Sequence, residues 1–173
     1  MDIFIEQIIR RKRQPMDFVK VFLCLIAATV IITAMILFNS FSIIGTLIFF
    51  AGAALVYVLF NLMTSINLEY EYCFTNGALD VDKIIAARKR KRLTELNARH
   101  IEIMASTRNR AFLNYMENRD IKKIYACSSI NDTDVFFVVY TKDGERTMLL
   151  FNPNDAIKDG FRRLNPQNVF LED

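Results

Sequence analysis

Polar and apolar residues are distributed in three regimes along this chain. From Phe18 to Met63 apolar residues run almost unbroken, as Phe18–Phe38 and Phe41–Met63 with only Asn39-Ser40 between them. Apart from Lys20 at the leading edge, neither run carries a side chain charged at neutral pH. Each is about 20 residues, which at roughly 1.5 Å per residue spans a hydrocarbon core of about 30 Å. The pattern predicts a transmembrane helical hairpin over residues 17–65, with spans at about 18–38 and 41–63. Ala27/Ala34 and Gly45/Gly52 each lie two helical turns apart, so each pair falls on one face, where small residues let two helices approach closely in lipid.

Beyond Met63 the period falls to two. Leu68, Tyr70, Tyr72 and Phe74 alternate with Glu69, Glu71, Cys73 and Thr75, the mark of a half-buried strand. Asn76-Gly77 suits a type I′ hairpin turn, which needs positive φ at both central residues. Ala78–Ile85 returns, and a turn near Ala86-Ala87 leads into Arg88–Leu96. Ile101–Ala105 and Ile121–Ala126 read as further strands, and Ser106–Asn118 as a loop with a short strand. Asp134–Thr141 pairs through the Asp143-Gly144 turn with Arg146–Phe151. A terminal helix follows, with Asn152 as its cap, Pro153 in its first position and Asp155 in its first turn. Ala156, Ile157, Phe161 and Leu164 form its apolar stripe, Arg162 and Arg163 its basic last turn, and Asn165-Pro166 its stop.

The third regime is the start. Ile3, Phe4, Ile8 and Ile9 can share a helical face before Pro15 breaks the pattern, so residues 1–16 read as a cytoplasmic segment, either a surface-lying amphipathic helix or a frayed tail.

Composition sharpens this division. Hydrophobic residues make up 53% of the 173, but the average conceals a nearly uncharged 18–65 beside a charge-rich 66–173 of ordinary domain size. The net charge is only +3, yet Arg10, Arg11, Lys12 and Arg13 cluster just before the first run. Cytoplasmic flanks collect Lys and Arg, and two spans return the chain to its starting side, so both termini are expected in the cytoplasm of a multi-pass inner-membrane protein. A signal peptide fits poorly, because the first run is long, lacks a small-residue cleavage site and is followed at once by another. Cys24, Cys73 and Cys127 are scattered without a C-x-x-C, and the single His100 has no cysteine near it, so no zinc or other metal site and no cofactor is expected.

Two apolar spans, about seven short antiparallel strands and one amphipathic C-terminal helix resemble the bacterial pleckstrin-homology-like (PH-like) membrane proteins. The segment Tyr72-Cys73-Phe74-Thr75-Asn76-Gly77-Ala78-Leu79-Asp80-Val81 is similar to that family's strand, tight turn and strand after the second span. Lys83–Leu96 (KIIAARKRKRLTEL) matches its following hairpin, and Phe151–Pro166 its closing strand and helix. The resemblance implies a two-helix membrane anchor carrying an α+β PH-like domain, a bent antiparallel sheet or barrel capped by the terminal helix.

The sharpest local feature is the basic run of Lys83, Arg88, Lys89, Arg90, Lys91 and Arg92. On a strand Arg88, Arg90 and Arg92 point one way and Lys89 and Lys91 the other, so neither face can be buried cheaply and the strand belongs at an edge. Eukaryotic PH domains hold phosphoinositide headgroups with a similar basic hairpin, and the K-x-x-x-x-R-x-R spacing stands here as Lys83, Arg88 and Arg90. Two readings follow: contact with lipid headgroups or a partner, or a solvated edge that blocks strand-to-strand aggregation. Nucleic acid is not expected, since no recognition helix accompanies the run. Phe136, Phe137 and Tyr140 read as sheet packing. Asn131-Asp132-Thr133 is ordinary turn chemistry, and no phosphate-cradling glycine motif occurs. The expectation is a non-enzymatic binding or scaffold module at the inner membrane face, pairing with a protein partner or a second copy. The alternatives are an accessory subunit of a transporter or enzyme complex and an anionic-lipid sensor.

Overall fold

The computed structural model describes residues 4–12, 15–37 and 43–171. The chain divides into two units: Arg13–Asn67 forms one, and Met1–Lys12 with Leu68–Asp173 forms the other.

The first unit is a pair of helices, α1 (Pro15–Leu37) and α2 (Ile43–Ile66), packed side by side. The short link between them makes the pair a hairpin; the Asn39-Ser40 break lies outside the described residues. Among the described side chains, the less exposed positions on α1 are Asp17, Val21, Cys24, Ala27, Ala28, Ile31 and Ala34, and on α2 they are Gly45, Ile48, Gly52, Leu55 and Leu59. Both sets recur at three- and four-residue intervals, so each is one stripe. The four small residues singled out from the sequence all lie on these stripes. A cleft of about 260 Å³ runs between the helices, lined by Ala28 and Ile31 from one and Gly52 and Leu55 from the other. The remaining surface is apolar and bare, with Phe22, Leu47 and Phe50 each more than 60% exposed. Three polar side chains bond carbonyls of their own helix: Thr29 donates to Ile26 at 2.7 Å, Thr33 to Thr29 at 2.8 Å and Asn61 to Tyr57 at 3.0 Å. Among the described residues one window, Pro15–Ala34, is long and apolar enough to cross a membrane; α2 contributes the shorter stretch Gly45–Leu59.

The second unit begins before the helices. Phe4–Arg10 forms strand β1, not the surface helix or frayed tail expected of residues 1–16. Its exposure alternates with period two, so Ile5, Gln7 and Ile9 face inward while Phe4, Glu6, Ile8 and Arg10 face out. The helical reading failed because its partner strand lies some sixty residues away, beyond both helices. β1 pairs antiparallel with β2 (Leu68–Thr75) through all seven residues, from Phe4↔Thr75 to Arg10↔Glu69. β3 (Ala78–Ile85) and β4 (Lys89–Asn97) follow, giving a four-stranded antiparallel sheet in the order β1-β2-β3-β4.

A 3₁₀ turn at Ala98–His100 leads to β5 (Ile101–Ser106), then to helix α3 (Ala111–Glu117) and β6 (Lys122–Tyr125). β7 (Phe136–Lys142) and β8 (Glu145–Phe151) form a hairpin, and helix α4 (Asp155–Leu164) and β9 (Val169–Phe170) close the chain. The second sheet has the order β6-β8-β7-β5-β9, with β6 parallel to β8 and β9 parallel to β5. The described residues thus hold nine strands in two sheets, correcting the expected single antiparallel sheet of about seven. The parallel pairs follow from the crossovers preceding them, since a strand that returns through a helix rather than a tight turn can run parallel to its neighbour.

Tyr72, Phe74, Leu79 and Val81 from the first sheet meet Met104, Val138, Leu149 and Phe151 from the second in one core, sealed by Ile157 and Phe161 of α4. The other face of the second sheet, with Phe137, Val139, Met148 and Leu150, is covered by Phe112, Tyr115 and Met116 of α3. Phe112 and Tyr115 set their rings 5.5 and 5.9 Å from Phe137. This explains why β7 is a continuous apolar run, as both its faces are buried. It also corrects the reading of Ser106–Asn118, where Phe112, Tyr115 and Met116 recur at helical spacing and Asn109 accepts from the Ala111 amide at 3.0 Å.

The cap of α4 is Asn154, whose side chain accepts from the Ile157 amide at 2.9 Å. Asn152, expected in that role, is buried and fastens a loop instead. Ala156 is exposed, while Gly160 takes the buried position beside Phe161.

Candidate functional site

The basic run occupies the end of β3, the β3–β4 turn and the start of β4, an edge strand paired on one side only. Positions 87–92 are all exposed. The fold does not leave the six cations equivalent. Arg90 reaches across β3 to β2, its Nη2 lying 2.8 and 2.7 Å from the two carboxylate oxygens of Glu71. Arg92 stands among Asp80 at 3.3 Å, Asp82 at 3.5 Å and Glu95 at 3.6 Å. Both therefore lie on the acidic outer face of the first sheet. Lys83, Arg88, Lys89 and Lys91 have no carboxylate within ion-pair distance among the described residues.

That outer face has its own logic. Glu71 is central in the sheet, its side chain only 4% exposed. Burial is the main force pushing its carboxyl above the ordinary value; the Arg90 guanidinium opposes this, while a hydrogen bond that the protonated carboxyl would donate to Glu6 and the charges of Glu6 and Asp82 add to it. A buried carboxylate is tolerated only when paired. Arg90 supplies that pairing.

A second polar region is a groove of about 710 Å³ between β1, the loop after β6 and the start of α4. Gln7 spans it, donating to the Asn152 carbonyl at 2.9 Å and accepting from the Asn154 amide at 2.8 Å. Asn152 accepts from the Ser128 amide at 2.9 Å and donates to the Asp134 carbonyl at 3.3 Å. Lys12 lies 2.6 Å from Asp132, which also receives the Ser128 hydroxyl. These two donors, Lys12 first, hold the Asp132 carboxyl below its usual range. The groove's polar groups thus bond chiefly to one another and latch the first strand to the C-terminal part of the fold. Nothing in local sequence announced this, because the partners Gln7 and Asn152, or Lys12 and Asp132, are more than a hundred residues apart.

The other residues considered for chemistry are dispersed. His100 is exposed at the end of the 3₁₀ turn. Cys73 and Cys127 are free thiols, both pushed up chiefly by burial and so held in the unreactive protonated form. Phe136, Phe137 and Tyr140 are buried in the core, and the Tyr140 hydroxyl bonds Thr94. Among the described residues no group of His, Cys, Asp and Glu is placed to hold a metal ion.

No curated protein and no solved structure matches the chain. The model of one family, described as Bacterial PH-like domain (DUF6106), matches residues 1–171. It takes in β1, both helices and the two-sheet unit alike, and the chain therefore belongs to this bacterial PH-like domain family.

Proposed function

We propose that the protein is a non-enzymatic, membrane-anchored binding module, with α1 and α2 crossing the bilayer and the two-sheet unit presented at the inner face. The observation that carries the reading is the exposed apolar surface of the helix pair, on which Thr29, Thr33 and Asn61 each bond a carbonyl of their own helix. In water that surface would cost about 25 cal/mol per Å², and in lipid it costs nothing.

Strand pairing argues for two crossings. The chain leaves the first sheet after Arg10 and rejoins it at Leu68, and these ends are adjacent: Arg10 pairs with Glu69, and the Arg11 amide donates to the Leu68 carbonyl at 2.9 Å. If α1 crosses a bilayer, α2 has to cross back. The cluster Arg10–Arg13 favours the cytoplasmic side for that sheet. The committed Ser128 hydroxyl and the protonated thiols favour binding over catalysis. A protein partner or a second copy at this surface is the expected ligand.

The test is protease access with a C-terminal epitope. The tag is expected to survive protease added to intact spheroplasts and to disappear when inside-out vesicles are treated. Cleavage in spheroplasts would overturn the orientation, and release of the protein by alkaline carbonate would overturn the anchor.

A further inference from the structure

Among the described residues of the two-sheet unit, three hairpin turns have positive φ at both central residues. Two use the expected chemistry: Asn76-Gly77 at 50° and 99°, and Asp143-Gly144 at 52° and 80°. The third, the three-residue loop Ala86–Arg88 joining β3 to β4, is built on Ala86-Ala87 at 52° and 55°, with the Arg88 amide donating to the Ile85 carbonyl at 3.1 Å. A Cβ is disfavoured in this region and alanine lacks the side chain by which Asn and Asp offset it. The turn is therefore strained twice over, where Asn-Gly would have been free of strain. Strain kept in place suggests a use for the side chains that cause it.

What the turn gains is an apolar tip. Half-buried Ile84, Ile85 and Ala86 and exposed Ala87 form it, and it is flanked by Lys83 on one arm and Arg88, Lys89 and Lys91 on the other, the four cations without carboxylate partners among the described residues. Polar turns sit in water; an apolar tip ringed by cations matches the boundary between acyl chains and anionic headgroups. Register gives its location. Leu68 pairs with Ile85, Ile85 with Lys89 and Arg10 with Glu69, so the tip lies at the end of the first sheet where the chain passes to and from the helices. Asn76-Gly77 lies at the opposite end.

Resting on the reading that α1 and α2 cross a bilayer, we infer that the β3–β4 tip dips into the anionic leaflet, with Ile85 and Ala87 among the acyl chains and Arg88, Lys89 and Lys91 on lipid phosphates. The module is thus held at the membrane at a second point besides its helices, and its contact depends on headgroup charge. The two sheet-facing arginines, Arg90 and Arg92, are not part of this contact.

The chain contains no Trp, so a single introduced indole reports its own depth. Full-length Ala87→Trp, Thr75→Trp and Phe22→Trp proteins are reconstituted in phosphatidylcholine vesicles with and without phosphatidylglycerol, using acyl-brominated lipids as quenchers. Phe22→Trp, on α1, reports the anchor; Thr75→Trp, beside the Asn76-Gly77 turn, reports the far end. In phosphatidylglycerol vesicles the Ala87→Trp emission is expected to shift to the blue and to be quenched severalfold more than that of Thr75→Trp. Adding Arg88→Glu, Lys89→Glu and Lys91→Glu should return it to the Thr75→Trp level. Ile85→Trp, in ordinary extended backbone, gives the same readout if position 87 rejects the ring. Quenching of Ala87→Trp and Ile85→Trp no stronger than that of Thr75→Trp, with Phe22→Trp quenched, overturns the tip contact and leaves the anchor standing. Unquenched Phe22→Trp overturns the anchor itself. Equal quenching of the tip in neutral and anionic vesicles overturns the headgroup recognition.

Discussion

Replacing Gly160 with alanine tests how α4 is seated. A Cβ built there lies 2.6 Å from Cε1, 3.0 Å from Cζ and 3.3 Å from Cδ1 of the Phe74 ring. The ring has no easy escape. It is fully buried and packs on Phe161 at a centroid distance of 5.3 Å, and Phe161 in turn lies 6.3 Å from Phe151. Two effects of opposite sign compete. Glycine in a helix costs about 1 kcal/mol relative to alanine, so on propensity alone the substitution stabilises. Overpacking a core that cannot relax costs about 1–3 kcal/mol. A contact at 2.6 Å against an aromatic ring places the cost at the upper end, so Gly160→Ala should destabilise by about 1–2 kcal/mol net. Urea titration of the full chain in detergent, followed by near-ultraviolet circular dichroism, reads this as a lower midpoint at unchanged slope. A Phe74→Leu background removes the clashing edge, and there Gly160→Ala should cost little or become favourable, a coupling between the sites of about 1–2 kcal/mol. A Gly160→Ala protein as stable as the parent, with no coupling to Phe74, would refute the close seating of α4 on the first sheet.

Two further substitutions address the charged sheet and the strained turn. Arg90→Gln leaves the Glu71 carboxylate buried without its cation and should cost about 2–4 kcal/mol at neutral pH. Glu71 binds its proton more tightly folded than unfolded, so its protonated form supports the fold below the ordinary value of 4.5 and that support is lost as pH rises through the folded value. The Arg90→Gln penalty should therefore shrink on acidification and be largely cancelled by Glu71→Gln; a penalty constant with pH in urea titrations would contradict the pairing. Ala87→Gly relieves a Cβ at φ 55° and should raise stability by about 1 kcal/mol against the entropy of the added glycine, so an unchanged or lower urea midpoint would count against strain at this turn.

The sequence made the period-two segments legible wherever turn chemistry marked their ends. Leu68–Ile85 was readable because Asn76-Gly77 fixes the register, and Asp134–Phe151 because Asp143-Gly144 does the same. The apolar helices were readable from length alone. Illegible elements were those whose identity depends on a distant partner. Phe4–Arg10 has apolar positions compatible with either period, and only β2 selects the strand. Ala111–Glu117 is short enough that its helix exists because Phe137 offers a surface to cover, not through propensity. The site was half legible. That the basic run lies on an exposed edge followed from charge, but its division into sheet-bound Arg90 and Arg92 and, among the described residues, unpaired Lys83, Arg88, Lys89 and Lys91 required the positions of Glu71, Asp80 and Asp82 on neighbouring strands.

The placement of β1 also bears on how anchor and domain depend on each other. Docking β1 on β2 closes a loop of roughly sixty residues, which in a flexible chain costs about 3–4 kcal/mol in closure entropy alone. Seven strand residues with two partly buried isoleucines, Ile5 and Ile9, recover little beyond that. A paired α1 and α2 changes the balance, because a formed hairpin already holds Pro15 and Ile66 at one end and reduces the effective loop to the few residues joining helix to strand. On the proposed reading, insertion of the helices into lipid does more than tether the domain. It supplies most of the closure entropy for the first strand, whose Gln7 and Lys12 then complete the latch to Asn152, Asn154 and Asp132. The helix pair is in this sense an insertion within the PH-like sheet rather than an appendage to it.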